Sequence, residues 1–204
     1  MKKYLPLLFL TVFCLSMSSC NSAYHSTHPA LVKEKPSATA NEAASHKITH
    51  QNRYTASLGR TVDPWPATPP QIGKLVLKQE YWHYMKEAAR KYQVSPYLIQ
   101  AVAAIESRYN PQATSGRGQC IGLMQLHRST AKKYGVDPHN PRENIMGGAA
   151  VLARLLKQYD GNLLRVLRVY NAESTRAYER EVLKAYAQAM TNGAAARQLA
   201  KNRN

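Results

Sequence analysis

From about residue 72 onward, apolar residues recur at three- and four-residue intervals, and nowhere do they alternate for long with polar ones. The spacing predicts a first amphipathic helix over about 78–92, with Tyr81, Tyr84, Ala88 and Tyr92 on one side. A second helix has clean start signals. Ser95 stands in the N-cap position, and Pro96 occupies the first helical position, where a missing N–H costs nothing. A short helix is expected from about Ser129 to Tyr134, stopped by Gly135. Asn140 and Pro141 repeat the cap-plus-proline signature ahead of a helix running to Tyr159, with Gly161 beyond it. Two more helices are expected at roughly 162–171 and 175–190. There is no convincing strand pattern, so the folded part, about Ile72 to Met190, reads as a small, mostly α globule.

The remainder of the chain has a different character. Lys2 and Lys3 precede LPLLFLTVFCL, an apolar run too short to span a bilayer, and small residues follow up to Cys20. This resembles a bacterial lipoprotein export signal, with Cys20 as the lipidated first residue after cleavage. Met17 stands where such signals prefer Leu. Residues 21–72, rich in Ser, Thr, Ala, His, Lys and Pro, cannot bury enough apolar surface to offset their ordering entropy, and read as a flexible linker. The expected division is therefore a signal over 1–19, a linker over 20–72, a folded domain over 73–190 and a basic tail over 191–204.

Cysteine and charge narrow the setting. Cys14 lies inside the signal and Cys20 would carry lipid, so Cys120 is left as a small buried hydrophobe with no expected disulfide. The chain carries a net charge of +16, and loss of Lys2 and Lys3 leaves +14, which suits an anionic partner. Nucleic acid is not expected, since the chain is exported and has no zinc-finger or RNA-binding signature. A membrane surface or a polyanionic wall polymer remains.

One carboxylate stands apart. Glu106 has no other Asp or Glu between Glu87 and Asp137, and it falls on the same helix face as Ile99, Val102 and Ala103. An ionisable group in a core stripe is either paired or perturbed. The first alternative is an ion pair with Arg108 or another base. The second is a carboxyl whose pKa is raised by desolvation, which is a usable general acid near neutral pH.

Ordered blocks in the chain carry a resemblance. They are AARKYQVSPYLIQAVAAIESRYNP, then S…GLMQL…STAKKYGV, then NPRENIMGGAAVLARLL, then VYNA, covering about 85–183. They resemble the lytic transglycosylases of the soluble-lytic-transglycosylase type, which have a lysozyme-like fold related to goose-type lysozyme. The resemblance implies that Glu106 is the single catalytic acid/base and that Ser115 lies near the scissile sugar. It implies that Gly122, Leu123, Met124 and Gln125 shape the cleft, with Leu123 and Met124 also packing the core. Tyr170 and Asn171 would pack over the glutamate and hydrogen-bond in the site. The implied substrate is the peptidoglycan glycan strand, cut between N-acetylmuramic acid and N-acetylglucosamine without water to leave an anhydro end. Neither cofactor nor metal is implied, and the residues name no protein partner in wall growth or secretion.

The chain departs from the family pattern twice. GRGQC adds one residue between Ser115 and Gly122. After Tyr170-Asn171-Ala172 the usual Gly/Pro-rich loop is missing, although Thr175, Arg176 and Tyr178 still match the helix start that follows it. A more open cleft is expected, with Glu173 as a solvated helix cap or as a second carboxylate near the site. Two other functions remain beside the transglycosylase: a wall-binding lipoprotein with weak turnover, and a hydrolytic muramidase. On either reading the protein is held in the cell envelope, at the periplasmic face of the outer membrane.

Overall fold

The structure, a computed structural model, describes residues 63–171 and 175–202. The elements in chain order are helix α1 (Gln79–Tyr92), helix α2 (Pro96–Ser107), strands β1 (Thr114–Ser115), β2 (Cys120–Ile121) and β3 (Leu126–His127), helix α3 (Arg128–Tyr134), helix α4 (Pro141–Gln158), helix α5 (Leu163–Tyr170) and helix α6 (Arg176–Lys201). The mostly α expectation holds. The strands correct it in one place: they form a small antiparallel sheet in the order β1-β2-β3. Each strand has two residues, too few for apolar alternation to register.

Helix α2 is the centre of the molecule. Every residue in it except Ile105 is buried, as expected of a helix with apolar residues on all sides. It lies between α6 on one side and α1 on the other, and α4 packs on α1 and α5. Trp82, Met85, Ile99, Val102, Leu123, Met124, Ile145, Leu152, Val166 and Leu167 are wholly shielded from solvent. Each large aliphatic among them contributes about 1.5–3 kcal/mol of transfer free energy.

The start signals act locally, though not always as expected. The Asn140 side chain accepts hydrogen bonds from the Arg142 and Glu143 amides, and Asn162 caps α5 through Arg165 N. Ser95 occupies the N-cap of α2 but makes no side-chain cap bond. Helix α3 begins one residue early, because His127 caps it by accepting from Ser129 N.

Both ends of the folded domain extend further than the sequence suggests. The stretch from Asp63 to Ile72, expected to be linker, lies against the helices. Trp82 Nε1 donates to Pro66 O at 2.9 Å, Gln79 Nε2 to Ala67 O at 2.6 Å, and Gln100 Nε2 to Pro70 O at 2.7 Å. Asp63 pairs with Lys86 at 2.7 Å and Arg90 at 3.0 Å. A proline-rich strap has few amide donors but a full set of carbonyls, and side chains of the helices supply those carbonyls with donors. At the other end, α6 runs on through Lys201, so residues 191–201 are helix and not a loose tail. Asn192 Nδ2 donates to Gln71 O at 2.7 Å and Arg197 Nη1 to Pro64 O at 2.8 Å, closing the helix onto the strap.

Candidate active site

Glu106 comes in the last turn of α2, and its side chain faces a groove bounded by the segment that follows the helix. The groove encloses about 420 Å³ and is lined by Glu106, Ser107, Arg108, Asn110, Gln112, Ala113, Thr114, Ser115 and Gln125. Glu106 is 8% exposed, and burial pushes its carboxyl up to about 8, against an ordinary value of 4.5. The Tyr178 hydroxyl, in the first turn of α6, donates to Glu106 Oε1 at 2.6 Å and holds the pKa below what burial alone would give. The expected alternative, an ion pair with Arg108, does not form: among the described residues no cation pairs with Glu106. Helix geometry explains this, since residues two apart do not face each other and Arg108 has already left the helix with φ of 53°.

The segment from Gly122 to Gln125 divides into two kinds of residue. Leu123 and Met124 are wholly buried and, like Gly122, lie outside the groove lining, so they shape the cleft from behind. Gly122 has φ of +78°, and a Cβ there would come within 2.5 Å of Asn144 Nδ2 and 2.8 Å of Pro138 O. Gln125 does reach the groove. Its Nε2 donates to Gly122 O at 2.9 Å and Ala113 O at 3.0 Å, which leaves its Oε1 to accept from Ser115 Oγ at 2.5 Å. Ser115 and Gln125 thus present a fixed hydroxyl–amide pair beside Glu106 in the same groove.

Two residues that the sequence reading did not single out hold this segment in place. Asn144 of α4 is fully buried. Its Oδ1 accepts from Met124 N at 2.8 Å, and its Nδ2 donates to Ile121 O at 2.8 Å and Pro138 O at 2.9 Å. Ser107, next to Glu106, donates to Leu123 O at 2.8 Å and so ties α2 to the segment. Gly147 and Gly148 let α4 approach, since a Cβ at Gly148 would lie 2.7 Å from Met124.

Tyr170 and Asn171, at the C-terminal end of α5, are buried and lie outside the groove lining. The Tyr170 hydroxyl donates to Met124 O at 2.9 Å, and burial, with the Glu106 charge as a second cause, holds the phenol far above its ordinary pKa. Asn171 is buried, and its Oδ1 has no hydrogen-bond partner. The following residues, Ala172 to Ser174, lie outside the described residues, and with them Glu173 and the expected opening of the cleft. The chain on either side of them is clamped: Arg168 of α5 meets the buried carboxylate of Glu179 of α6, with Nε to Oε1 at 2.8 Å. Tyr178 was legible only as part of a helix-start match, and its direct contact with Glu106 emerges from the fold.

Cys120 is fully buried on β2, as expected of a small hydrophobe. Cys20 lies outside the described residues. No cluster of three or more His, Cys, Asp or Glu able to hold a metal occurs among the described residues.

The family described as transglycosylase SLT domain matches residues 83–195. A transglycosylase of Enterobacteria phage PRD1 is 38% identical over 99 residues, covering 48% of this chain and 37% of that protein. The membrane-bound lytic murein transglycosylase F of Yersinia enterocolitica is 38% identical over 108 residues, 52% of this chain and 20% of the relative. A third relative, membrane-bound lytic murein transglycosylase F 1 of Alkalilimnicola ehrlichii, is 40% identical over 79 residues, 38% of this chain and 16% of its own length. The chain therefore spans well under half the length of these curated relatives. Among solved structures, an inactive mutant of lytic transglycosylase Slt from Pseudomonas aeruginosa aligns with a TM-score of 0.40 and 25% identity, over 54% of this chain and 22% of that one.

Proposed function

The chain belongs to the transglycosylase SLT-domain family, and from that premise we propose that it is a peptidoglycan lytic transglycosylase. It cleaves the β-1,4 bond between N-acetylmuramic acid and N-acetylglucosamine and leaves a 1,6-anhydro-muramoyl end. The observation that carries this reading is a solitary carboxyl, Glu106, buried at the groove wall with its pKa raised to about 8. Most glycosidases place two carboxylates across the bond they break. The described lining of this groove contains one.

One such group is sufficient if it acts twice. Protonated at neutral pH, Glu106 donates its proton to the glycosidic oxygen as the bond to C1 breaks. The resulting carboxylate sits in a desolvated wall with a single hydrogen bond, from Tyr178, and is a strong base there. It takes the proton from the muramoyl 6-hydroxyl, whose oxygen closes on C1. Protons balance, and water is not consumed. Ser115 and Gln125 supply the polar contacts beside the reacting sugar, and Gly122, Leu123, Met124, Tyr170 and Asn171 set the wall behind them.

Mass spectrometry of purified wall digested with the protein tests this. Anhydro-muramoyl ends are the expected product. Reducing ends would identify a hydrolytic muramidase, and a wall left intact would identify a binding protein.

We also place the enzyme in the cell envelope, held at the periplasmic face of the outer membrane by lipid on Cys20. The export-signal pattern before Cys20 supports this reading, as does the membrane-bound naming of the Yersinia and Alkalilimnicola relatives.

A further inference from the structure

The groove beside Glu106 holds one positive charge, and nothing in the described structure neutralises it. Arg108 lines the groove as the C-cap of α2, where its backbone N–H bonds to Ala103 O and Ala104 O. Its side chain is exposed and makes no ion pair, hydrogen bond or ring contact among the described residues. Five of the ten other described arginines have named partners. Arg90 meets Asp63 and the Trp65 ring, Arg128 the Gly118 carbonyl, Arg142 Glu87, Arg168 Glu179, and Arg197 the Pro64 carbonyl. Apart from Glu106, the rest of the lining is neutral amide, hydroxyl and methyl.

Two facts make this charge more than an exposed cation. Both Arg108 (φ 53°) and Tyr109 (φ 65°) are left-handed, in a place where helices commonly use glycine. The root of the Arg108 side chain is thereby fixed at the mouth of the groove. Glu106 is also mostly uncharged at neutral pH, since its pKa lies near 8. The groove is therefore net positive when a strand arrives.

We propose that Arg108 forms an anion subsite that takes a carboxylate carried by the muramoyl unit next to the cut; this inference rests on the transglycosylase reading above. Two sources share that chemistry. A muramoyl unit stripped of its peptide exposes its lactyl carboxylate, and an intact stem peptide carries carboxylates further out. A planar guanidinium presents paired donors that match either. In both cases Arg108 is a specificity-determining residue that selects strands bearing an acid at that position.

The test measures binding by protein carrying Glu106→Gln, which does not turn over the strand. Soluble glycan strands compete that protein off insoluble wall in three forms: peptide-bearing, peptide-stripped by an amidase, and with all carboxylates capped as methylamides. Capping is expected to weaken competition about tenfold, in keeping with loss of a charge-assisted contact. Adding Arg108→Gln should weaken competition by uncapped strands equally and abolish the difference between capped and uncapped. Arg108→Lys, equally strained but still charged, should restore part of the difference and controls for folding. Peptide-stripped strands that compete as well as peptide-bearing ones assign the site to the lactyl group, and weaker competition assigns it to the stem peptide. The proposal is overturned if Arg108→Gln discriminates as its background does, or if Arg165→Gln, an exposed charge outside the groove lining, removes as much. Failure of the transglycosylase reading shows separately, as absence of anhydro ends from wall treated with the parent protein.

Discussion

The Tyr178 hydroxyl reaches Glu106 Oε1 at 2.6 Å across 72 positions of chain, joining the first turn of the last helix to the last turn of the central one. Burial raises the Glu106 pKa, and this bond, which stabilises the anion, lowers it. Tyr178→Phe removes only the lowering contribution. The pH above which kcat/KM for wall cleavage falls, near 8 in the parent, should therefore move up by roughly one to two units, given that one hydrogen bond to a charged group is worth roughly 1.5–3 kcal/mol. A pH–rate profile checks this. An unmoved or downward-shifted limb would mean that Tyr178 does not act on the ionisation of Glu106.

Glu106→Gln keeps the size and the acceptor for Tyr178 but cannot cycle a proton. Wall cleavage should drop by about 10²–10⁴-fold, the usual worth of general acid–base help, with the circular dichroism spectrum unchanged. Cleavage at the parent rate would remove Glu106 from the mechanism.

The same substitution should stabilise the fold, and more so at higher pH. The folded pKa of Glu106, about 8, lies above the ordinary 4.5, so the folded state binds the extra proton between them. The stability linked to that proton is present in full below 4.5 and is lost as pH rises through 8. At pH 9 the Gln variant should therefore exceed the parent by roughly 5 kcal/mol, at about 1.4 kcal/mol per pKa unit over the shift from 4.5 to about 8, with the gap closing towards pH 4. Paired urea titrations at the two pH values give the comparison, and a gap independent of pH would contradict the raised pKa.

Asn144 makes three hydrogen bonds to backbone groups of the cleft wall and its neighbour loop. Asn144→Ala strands those groups in a buried place and should cost roughly 3–5 kcal/mol, at about 1–3 kcal/mol for each unsatisfied group. Gly122→Ala should also destabilise, because its Cβ would strike Asn144 and the Pro138 carbonyl. Denaturant midpoints measure both. If Asn144→Ala unfolds where the parent does, the side chain is not the brace described.

The anchor is tested by fractionation. Wild type should sediment with outer-membrane vesicles and carry a lipid mass on its first mature residue, whereas Cys20→Ala should remain unprocessed or become soluble. A soluble wild type after osmotic release would overturn the anchor reading.

Helices and the principal acid were legible in the sequence because each rests on local signals. Proline at the first helical position and asparagine at the cap set the starts of α2 and α4 within the chain itself. Glu106 stood out because it is an acid in an apolar helix, which needs no knowledge of its neighbours. What was not legible depends on distant partners. Tyr178 and Asn144 look like ordinary helix polar positions until the fold brings them to Glu106 and Met124. The strap reads as linker because its apolar content is low, yet its carbonyls find donors on α1, α2 and α6. Gly193 provides room for Tyr97, whose hydroxyl would lie 2.6 Å from a Cβ there.

Helix α6 has 26 residues, a rod of about 39 Å at 1.5 Å per residue. Its first turn carries the tyrosine that touches Glu106, and its far end grips the strap through Asn192 and Arg197. The strap and the tyrosine beside Glu106 are thus joined by one continuous helix, so a shift at either end is carried along it to the other.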